Sequence, residues 1–240
     1  MNHVAFNITS NTPIAPSVYR MLLSGDTSAI TRPGQFVNIA LDGLFLRRPI
    51  SVCDWDAEDL TLIYKVVGRG TEQLSRMAPG QTLDALSGLG NGYDITACPD
   101  NPVLAGGGVG IPPLYGLAKR LLGAGKKPTV VLGFNSAEEI FYDMQFAALG
   151  VSVSVATVDG TAGTKGFVTD LIPEGAYVCA CGPEPMLKAV YNKAAGGQFS
   201  FEARMGCGFG ACMGCTCKTV TGHKRICKEG PVLFKEEILW

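Results

Sequence analysis

The chain has 240 residues and a formal net charge of −1 at pH 7, so it lacks the excess positive charge that binding to nucleic acid or to an anionic membrane requires. Charged residues make up 17% and hydrophobic residues 47% of the sequence, and this low charge is consistent with burial of part of the surface against a partner. The length allows one or two domains, each with a core of its own.

We expect neither a signal peptide nor a membrane-spanning segment. The first residues, Met1 to Thr9, lack the basic segment followed by an apolar run that marks a signal peptide. The most apolar stretch, residues 102–118, is short and is interrupted by glycine and proline. Nine cysteines without an export signal indicate a reducing cytoplasm.

Residues 1–97 are predicted to form short strands connected by turns. Four segments are rich in β-branched or aromatic residues, and turn signals such as Arg32-Pro33-Gly34 and Asp42-Gly43 separate them. Only residues 71–77 have a helical pattern. This arrangement predicts an antiparallel barrel or sandwich. The four predicted strands are Val18–Leu23, Phe36–Leu41, Ile50–Asp54 and Leu60–Val67.

The pattern changes at Cys98, after which apolar strands alternate with helices up to residue 195. This alternation predicts a parallel, doubly wound sheet for residues 98–195. Gly196-Gly197 is predicted to link this domain to a last segment, residues 196–240. The predicted strands are 101–105, 129–133, 151–157 and 176–181, and the predicted helices are 112–122, 137–149, 165–172 and 184–195.

Two segments of the predicted barrel have the chemistry of a phosphate site. Arg48-Pro49-Ile50-Ser51 begins a strand, and an arginine presents a fixed fork of donors to phosphate oxygens. Lys65-Val66-Val67-Gly68-Arg69-Gly70-Thr71 closes a strand and opens a helix, where backbone amides and a threonine hydroxyl suit a pyrophosphate. Singly, a surface arginine with a strand-initiating proline and a plain glycine turn explain them as well. Together, ahead of a dinucleotide-type domain, they form a specific pair.

Two turns of the second domain are candidate dinucleotide contacts. Gly106-Gly107-Gly108-Val109-Gly110 follows a strand and opens a helix, so a pyrophosphate can approach the amino end of that helix. Pro113 stands where the third glycine of the dinucleotide fingerprint is expected, and a tight strand-to-helix turn is the alternative. Cys181-Gly182-Pro183 ends the last strand, where such sheets bind ligands, although helix entry with an early proline explains it equally well.

Four cysteines have the spacing of a plant-type 2Fe–2S cluster. Cys207, Cys212 and Cys215 form Cys-x4-Cys-x2-Cys, and Cys227 follows. Zinc is disfavoured, because structural zinc sites use two separated pairs or Cys/His mixtures, and a disulfide framework is disfavoured by the odd cysteine count. Cys217 could compete as a ligand, but it breaks the plant-type spacing.

Taken together, these motifs resemble the ferredoxin–NADP reductase superfamily, in which Arg-Pro-Ile-Ser, Gly-x-Gly-Thr, a glycine-rich turn ending Ile-Pro-Pro-Leu, and Cys-Gly-Pro occur in this order. The segment Glu202–Cys215 narrows the resemblance to the electron-transfer subunits of NAD-dependent (class 1B) dihydroorotate dehydrogenases. The resemblance implies three groups of site residues: FAD at Arg48, Pro49, Ile50, Ser51, Lys65, Val66, Val67, Gly70 and Thr71; NAD at Gly106, Gly107, Gly108, Val109, Gly110, Cys181, Gly182 and Pro183; and the cluster on Cys207, Cys212, Cys215 and Cys227.

The same resemblance implies an oxidoreductase subunit without catalytic acid or base. Electrons from a separate FMN-containing, dihydroorotate-oxidising subunit would reach NAD+ through 2Fe–2S and FAD, in a heterotetramer of two plus two chains. The alternatives are the small subunit of an NADH-dependent ferredoxin:NADP oxidoreductase or of a sulfide dehydrogenase, and a cluster-bearing redox sensor without flavin. Residues 133–146 contain no Arg or Lys for a 2′-phosphate but do contain Glu138, Glu139 and Asp143, which favours NAD over NADP.

The loop around the cluster ligands carries Phe209, Ala211 and Met213. Either these side chains are buried against the chain's own barrel, or they contact the partner subunit. We expect the second, because a redox centre on a loop is useful only where another centre can approach it.

Overall fold

The computed structural model describes residues 1–240, and its amino-terminal part is a closed antiparallel barrel, as predicted. Its strands are β1 (Asn2–Ala15), β2 (Val18–Ser24), β3 (Phe36–Ile39), β4 (Arg48–Trp55), β5 (Asp59–Lys65) and β6 (Thr82–Leu89). They are joined in the order β1-β2-β5-β4-β3-β6. Helix α1 (Arg69–Ser75) connects β5 to β6.

The first and last barrel strands escaped the sequence prediction. In β1 the buried residues Val4, Phe6 and Ile8 alternate with exposed ones, and β6 alternates in the same way. The outward positions carry residues with low β-propensity, such as Asn7 and Asp84. Only the alternation of buried and exposed residues identifies these strands, because their composition does not indicate strands.

A seven-stranded sheet forms the second part of the molecule, and it confirms the predicted parallel α/β domain. The strands are β7 (Val103–Gly107), β8 (Thr129–Phe134), β9 (Ser152–Thr157), β10 (Thr164–Lys165), β11 (Tyr177–Cys181), β12 (Gly196–Ser200) and β15 (Val232–Phe234). Their order is β10-β9-β8-β7-β11-β12-β15, in which all neighbours are parallel except the antiparallel pair β12 and β15.

Helices cover both faces of this sheet. Helix α2 (Ile111–Gly123) packs on the face that carries Leu104, whereas α4 (Glu184–Lys193) packs on the face that carries Val103. Adjacent strand residues point to opposite faces, so both layers follow from the alternation along β7. The third helix of the sheet domain is the short α3 (Asp143–Ala148).

No helix of the structure has the length and apolar character that crossing a membrane requires.

The glycine pair Gly196-Gly197 begins a strand and is not the predicted linker. These residues pair with Tyr177 and Val178 of β11 in parallel register. At Gly197, where φ is +155°, a Cβ atom would collide with the carbonyl of Val178. The glycine therefore permits a close approach between two strands. In the sequence alone, a glycine pair of this kind cannot be distinguished from a flexible linker.

Two predicted helices of the sheet domain are shorter than expected. Residues 137–149 form a 3-10 turn, Ala137–Glu139, and then α3, separated by Tyr142 at φ +67°. Tyr142 is buried and meets the ring of Tyr115 edge-on at 5.2 Å. Aromatic packing thus interrupts the helical pattern. Residues 165–172 contain the end of β10 and a 3-10 turn, Val168–Leu171.

The barrel and the sheet domain contact each other through α2 and β4. A Cβ on Gly116 of α2 would lie 2.6 Å from the carbonyl oxygen of Cys53, so the helix can approach the strand closely only because residue 116 is glycine. Lys119 forms an ion pair with Asp54, and the Arg120 guanidinium lies 4.2 Å from the ring centre of Trp55. These contacts fix the barrel against the sheet.

We expect Gly116→Ala to destabilise the protein by about 1–3 kcal/mol, because the added methyl group meets backbone that cannot move aside. The matched control is Gly123→Ala at the end of the same helix, where a Cβ would meet nothing within 4 Å. That change should stabilise by about 0.5–1 kcal/mol, as glycine-to-alanine changes in helices usually do. Denaturant unfolding followed by circular dichroism measures both. If both variants gain stability, the packing of α2 on β4 is looser than described.

Candidate cofactor sites

A cavity of about 470 Å³ opens on the barrel at the segments that the sequence indicates. Arg48–Ser51 of β4 form one wall, and Lys65 with residues 67–71 forms another. Val66 lies outside the lining, and its amide donates to the carbonyl of Ser17 at 2.7 Å. The opposite wall comes from the sheet domain and the chain after it: Val109, Cys181, Ser200, Phe201, Glu202, Ala203, Met205 and Pro231.

Two arginines lie at this cavity, Arg48 at the start of β4 and Arg69 at the start of α1. Gly70 is buried, and a Cβ on it would overlap the side chain of Arg48, so the guanidinium can cross the start of the helix only over a glycine. The hydroxyl of Thr71 accepts the amides of Val67 and Gly68 at 2.9 and 3.3 Å. Thr71 therefore shapes the turn, while Arg48 and Arg69 supply positive charge to the cavity, as a diphosphate requires.

A second cavity of about 700 Å³ lies at the carboxyl edge of the parallel strands. Its floor is Gly107–Gly110, and Pro183 and Met186 of the α4 entry line one side. Gly106 and Gly182 lie outside the lining; Cβ atoms there would come within 2.8 Å of Ile111 and 2.7 Å of Met186. These two glycines permit close packing behind the floor. Further lining residues are Pro16, Val18, Gly133, Phe134, Asn135, Glu139, Phe141, Val158, Gly166, Phe167, Val168, Thr169, Pro185 and Ala189.

The two cavities adjoin, because Lys65, Val109 and Glu202 line both of them. Glu202 follows β12 by two positions and was not a predicted site residue, although it begins the segment Glu202–Cys215 that narrows the family resemblance. Desolvation by the cavity walls raises the pKa of Glu202. Burial, with a smaller effect of Glu202, raises the pKa of the Cys181 thiol to about 12. The thiol of Cys181 in the barrel cavity therefore stays neutral, and the carboxyl group of Glu202 at the junction is more easily protonated than a carboxyl group in water.

Residues 206–215, called the cluster loop below, and the segment after them bring the four predicted thiols together as two pairs. The amides of Cys207 and Cys212 each donate to the other residue's Sγ at 3.4 Å, and the amide of Cys227 donates to Sγ of Cys215 at 3.4 Å. No three His, Cys, Asp or Glu side chains surround one point as a single metal ion needs. A two-iron cluster with four thiolates asks for two pairs, so these residues fit it.

Backbone amides favour the ionised form of the first ligand. The amide of Ala211 donates to Sγ of Cys207 at 3.2 Å. Burial opposes ionisation, but the amides of Cys212, Phe209 and Ala211 outweigh it and lower the pKa of Cys207 to about 6. Since the thiolate is the form that binds metal, the loop is arranged for a metal ligand.

Cys217 differs from the four paired cysteines. It lies on β13 (Thr216–Thr219), which forms a hairpin with β14 (Gly222–Arg225). Its side chain packs against the apolar cluster beneath the sheet, and burial raises the pKa of its thiol. A neutral thiol in apolar surroundings is a poor metal ligand.

The cluster loop rests on the barrel next to the first cavity. Nδ2 of Asn38 on β3 donates to the carbonyl of Cys207 at 3.1 Å. Asn38 lies opposite Pro49 in the ladder between β3 and β4, and Pro49 lines the barrel cavity, as does Met205 just before the loop. The thiol site, the barrel cavity and the sheet cavity therefore adjoin in that order.

Comparisons with known proteins agree with this arrangement. The family described as the iron-sulfur cluster binding domain of dihydroorotate dehydrogenase B matches residues 202–239. A chain of the NADH-dependent reduced ferredoxin–NADP oxidoreductase, from a structure concerned with flavin-based electron bifurcation, is 32% identical with a TM-score of 0.88, over 98% of this chain and 90% of that one. A ferredoxin NADP+ reductase from Neisseria gonorrhoeae, 16% identical with a TM-score of 0.69 over 80% and 91% of the two chains, shares the fold.

The fold and sites thus define a protein with the ferredoxin–NADP reductase fold and an added iron–sulfur segment. Two relatives have the name dihydroorotate dehydrogenase B (NAD(+)), electron transfer subunit. The protein of Geobacillus sp. (strain WCH70) is 43% identical over 100% of this chain and 99% of its own length. That of Listeria monocytogenes serotype 4a (strain HCC23) is 40% identical over 99% of both. The chain belongs to this family of electron transfer subunits.

We expect Cys212→Ser to lose the visible absorption of the cluster and Cys217→Ser to keep it. The first change removes one thiolate of a pair, while the second changes a neutral thiol in the hairpin. Iron and sulfide content, measured with the absorption spectrum on protein purified without oxygen, reports both. A cluster that survives Cys227→Ser but not Cys217→Ser would show that the second pair is assigned wrongly.

Proposed function

We propose that this chain passes electrons from an FMN-containing, dihydroorotate-oxidising partner subunit to NAD+, with a 2Fe–2S cluster and FAD as its carriers. The observation that carries the proposal is the continuous order of the thiol pairs, the barrel cavity and the sheet cavity, with a shared wall at Lys65, Val109 and Glu202. When bound, FAD supplies the conversion between single electrons and a hydride pair. Residues 1–97 would hold FAD, 98–195 NAD, and 196–240 the cluster.

The residues divide the binding between them. Arg48 would hold the FAD phosphates, and residues 49–51 of β4 would hold its ring system. Gly107–Gly110 would hold the NAD pyrophosphate at the start of α2. The neighbouring Val66, Gly106 and Gly182 shape these turns from behind. Cys207 with Cys212, and Cys215 with Cys227, would each hold one iron of the cluster.

The junction residues would position the two ring systems. Lys65 and Glu202 line both cavities, so they would hold the flavin and the nicotinamide side by side for direct hydride transfer. The carboxyl group of Glu202, whose pKa burial raises, would lie beside both ring systems. Water is limited by the apolar side chains of Val109 on the shared wall and of Phe201 in the barrel cavity.

We also propose a cytoplasmic location. All nine cysteines are free in the structure, and ligand thiols must stay reduced to accept iron. A reducing compartment meets both conditions.

The dinucleotide preference depends on Glu139. Of the three acids after β8, only Glu139 lines the sheet cavity; its Oε2 accepts the amide and Nδ2 of Asn135 at 3.2 and 2.9 Å. Its Oε1 lies 3.9 Å from Nζ of Lys65. A fixed carboxylate at this turn would repel the 2′-phosphate of NADP.

We therefore expect NADH to have the higher kcat/KM in dye reduction. Glu139→Gln should reduce the preference by at most about fivefold, since two unit charges 4 Å apart in water repel by about 1 kcal/mol and the nearby Lys65 ammonium offsets part of that repulsion. Glu138→Gln, which changes an exposed acid outside the cavity, is the control and should leave the ratio unchanged. Equal efficiency of NADH and NADPH in the wild-type protein would overturn the choice of NAD.

We propose that the cluster loop docks on the partner, in a heterotetramer of two plus two chains. Phe209 and Met213 are 43% and 53% exposed between the ligands, so the chain's own barrel does not cover them. Large exposed apolar side chains beside a redox centre suit an interface. Desolvation there also excludes water from the path of the electrons.

Met213→Glu should weaken assembly and slow dihydroorotate-to-NAD+ transfer at least about tenfold, because a charge must be buried at the contact. NADH–dye activity of the isolated chain should not change. Met144→Glu, at an exposed methionine on α3, is the matched control. Gel filtration and transfer rates with the co-purified partner measure both effects. Assembly that survives Met213→Glu unaltered would remove the loop from the interface.

The same co-purification distinguishes the remaining functions. The NADH-dependent ferredoxin–NADP oxidoreductase chain has the same fold at 32% identity, so a large subunit of that kind is the second candidate partner. A partner that oxidises dihydroorotate supports the main proposal, and one that reduces NADP+ replaces it. A purified chain without flavin absorption would instead favour a redox sensor.

A further inference from the structure

Arg225, at the end of β14, is clamped between its own hairpin and the cluster loop. Its backbone amide and Nε both donate to Oε2 of Glu229 at 2.9 Å, and Nη2 bonds to Oε1 of the same carboxylate. The remaining group, Nη1, donates to the carbonyl of Gly210 at 2.6 Å. The side chains of Arg225 and Glu229 therefore form an ion pair with two separate hydrogen bonds to the carboxylate. The guanidinium therefore has a fixed position and a fixed direction.

The carbonyl that Arg225 holds belongs to the peptide that serves a cluster ligand. The carbonyl of Gly210 and the amide of Ala211 are the two ends of one planar trans peptide and point in opposite directions. The Ala211 amide donates to Sγ of Cys207 at 3.2 Å. A cation bonded to the carbonyl fixes the plane of this peptide and polarises it, which makes the amide a stronger donor.

Gly210 makes this arrangement possible. Its φ is +92°, and a Cβ there would lie 2.6 Å from Cδ of Lys228. A second peptide of the loop, between Cys207 and Gly208, is held by Asn38, whose side-chain amide donates to the Cys207 carbonyl. The loop is thus held by its carbonyls at two points, and its amides face the sulfurs.

We propose that Arg225, oriented by Glu229, is a positioning residue that directs the Ala211 amide onto Cys207 and thereby raises the reduction potential of the cluster. The inference rests on the proposed function, because it requires the cluster at these cysteines. Hydrogen bonds to cluster sulfurs stabilise the reduced, more negative state. Loss of the clamp should therefore make the cluster harder to reduce.

A purely electrostatic role predicts the opposite sign for one variant. Glu229→Gln removes a negative charge near the cluster, and on charge alone the potential should rise. If Glu229 acts by holding Arg225, the same variant releases the guanidinium, weakens the amide bond to sulfur and lowers the potential. Arg225→Lys keeps the charge but loses the planar fork, so it should also lower the potential.

The experiment is a redox titration of the cluster in the purified chain with FAD bound, followed by electron paramagnetic resonance. We expect Glu229→Gln and Arg225→Lys to shift the reduction equilibrium about tenfold toward the oxidised cluster, which is 59 mV for one electron. The spectrum of the reduced cluster should change with it. Glu72→Gln, which breaks the exposed Arg76–Glu72 pair of the same spacing on α1, is the control and should change neither.

Iron and flavin contents separate the outcomes. A variant that loses the cluster but keeps FAD supports the clamp, because the loop then needs it to hold iron. An unchanged or raised potential in Glu229→Gln, with normal cluster content, overturns the proposal and leaves the proposed function intact. A wild-type chain that takes up no cluster overturns both.

Discussion

The close contact between α2 and β4 is the constraint on which the rest of this structure depends. The backbone of the helix comes near the Cys53 carbonyl at Gly116, and a salt bridge and an arginine–aromatic contact extend the interface. Because the amino end of the same helix is the floor of the sheet cavity, its position relative to the barrel decides where that cavity opens. The result is a shared wall, so that two sites built by separate domains become one continuous space. A methyl group added at Gly116 would displace the helix and change the shape of both cavities at once.

The barrel also fixes the position of the cluster loop. The cluster loop is attached through Asn38 to β3, the strand that pairs with the cavity-lining β4. The attachment uses backbone carbonyls of the loop and leaves its amides for sulfur. β15 and Asn91 extend this connection, since Asn91 donates to the carbonyls of Glu229 and Val232 at 2.9 and 2.7 Å and joins the carboxy-terminal segment to the end of the barrel. The barrel thus positions both the cavity of the sheet domain and the thiol pairs of the carboxy-terminal segment.

Local patterns predicted most of the elements but few of their contacts. The barrel and the parallel sheet follow from β-branched segments and from alternation with helices, and the glycine turns lie at cavities because their chemistry is local. Glu202 and Lys65 line the same two cavities only because two domains pack together, and no periodicity of the sequence encodes that packing. The glycine pair at 196–197 shows the limit, because flexible linkers and crowded strands favour the same residue. The sequence also does not reveal the role of the Arg225–Glu229 pair, since opposite charges four residues apart usually form an ordinary surface ion pair.

The backbone conformation of the cluster loop indicates that part of its surface is covered by another protein. Three of its residues have left-handed backbone conformations: Gly208, Gly210 and Met213, with φ of +79°, +92° and +61°. Glycine adopts this conformation without penalty, whereas a residue with a side chain does so at a cost of about 1–3 kcal/mol. A glycine at 213 would relieve that strain, and the side chain it would remove makes little contact, being half exposed. Within the isolated chain, Met213 therefore lowers the stability through backbone strain, and its side chain adds little packing. The balance changes only if a second protein surface covers the thioether, which would then be buried beside the thiol pairs at the point where electrons enter.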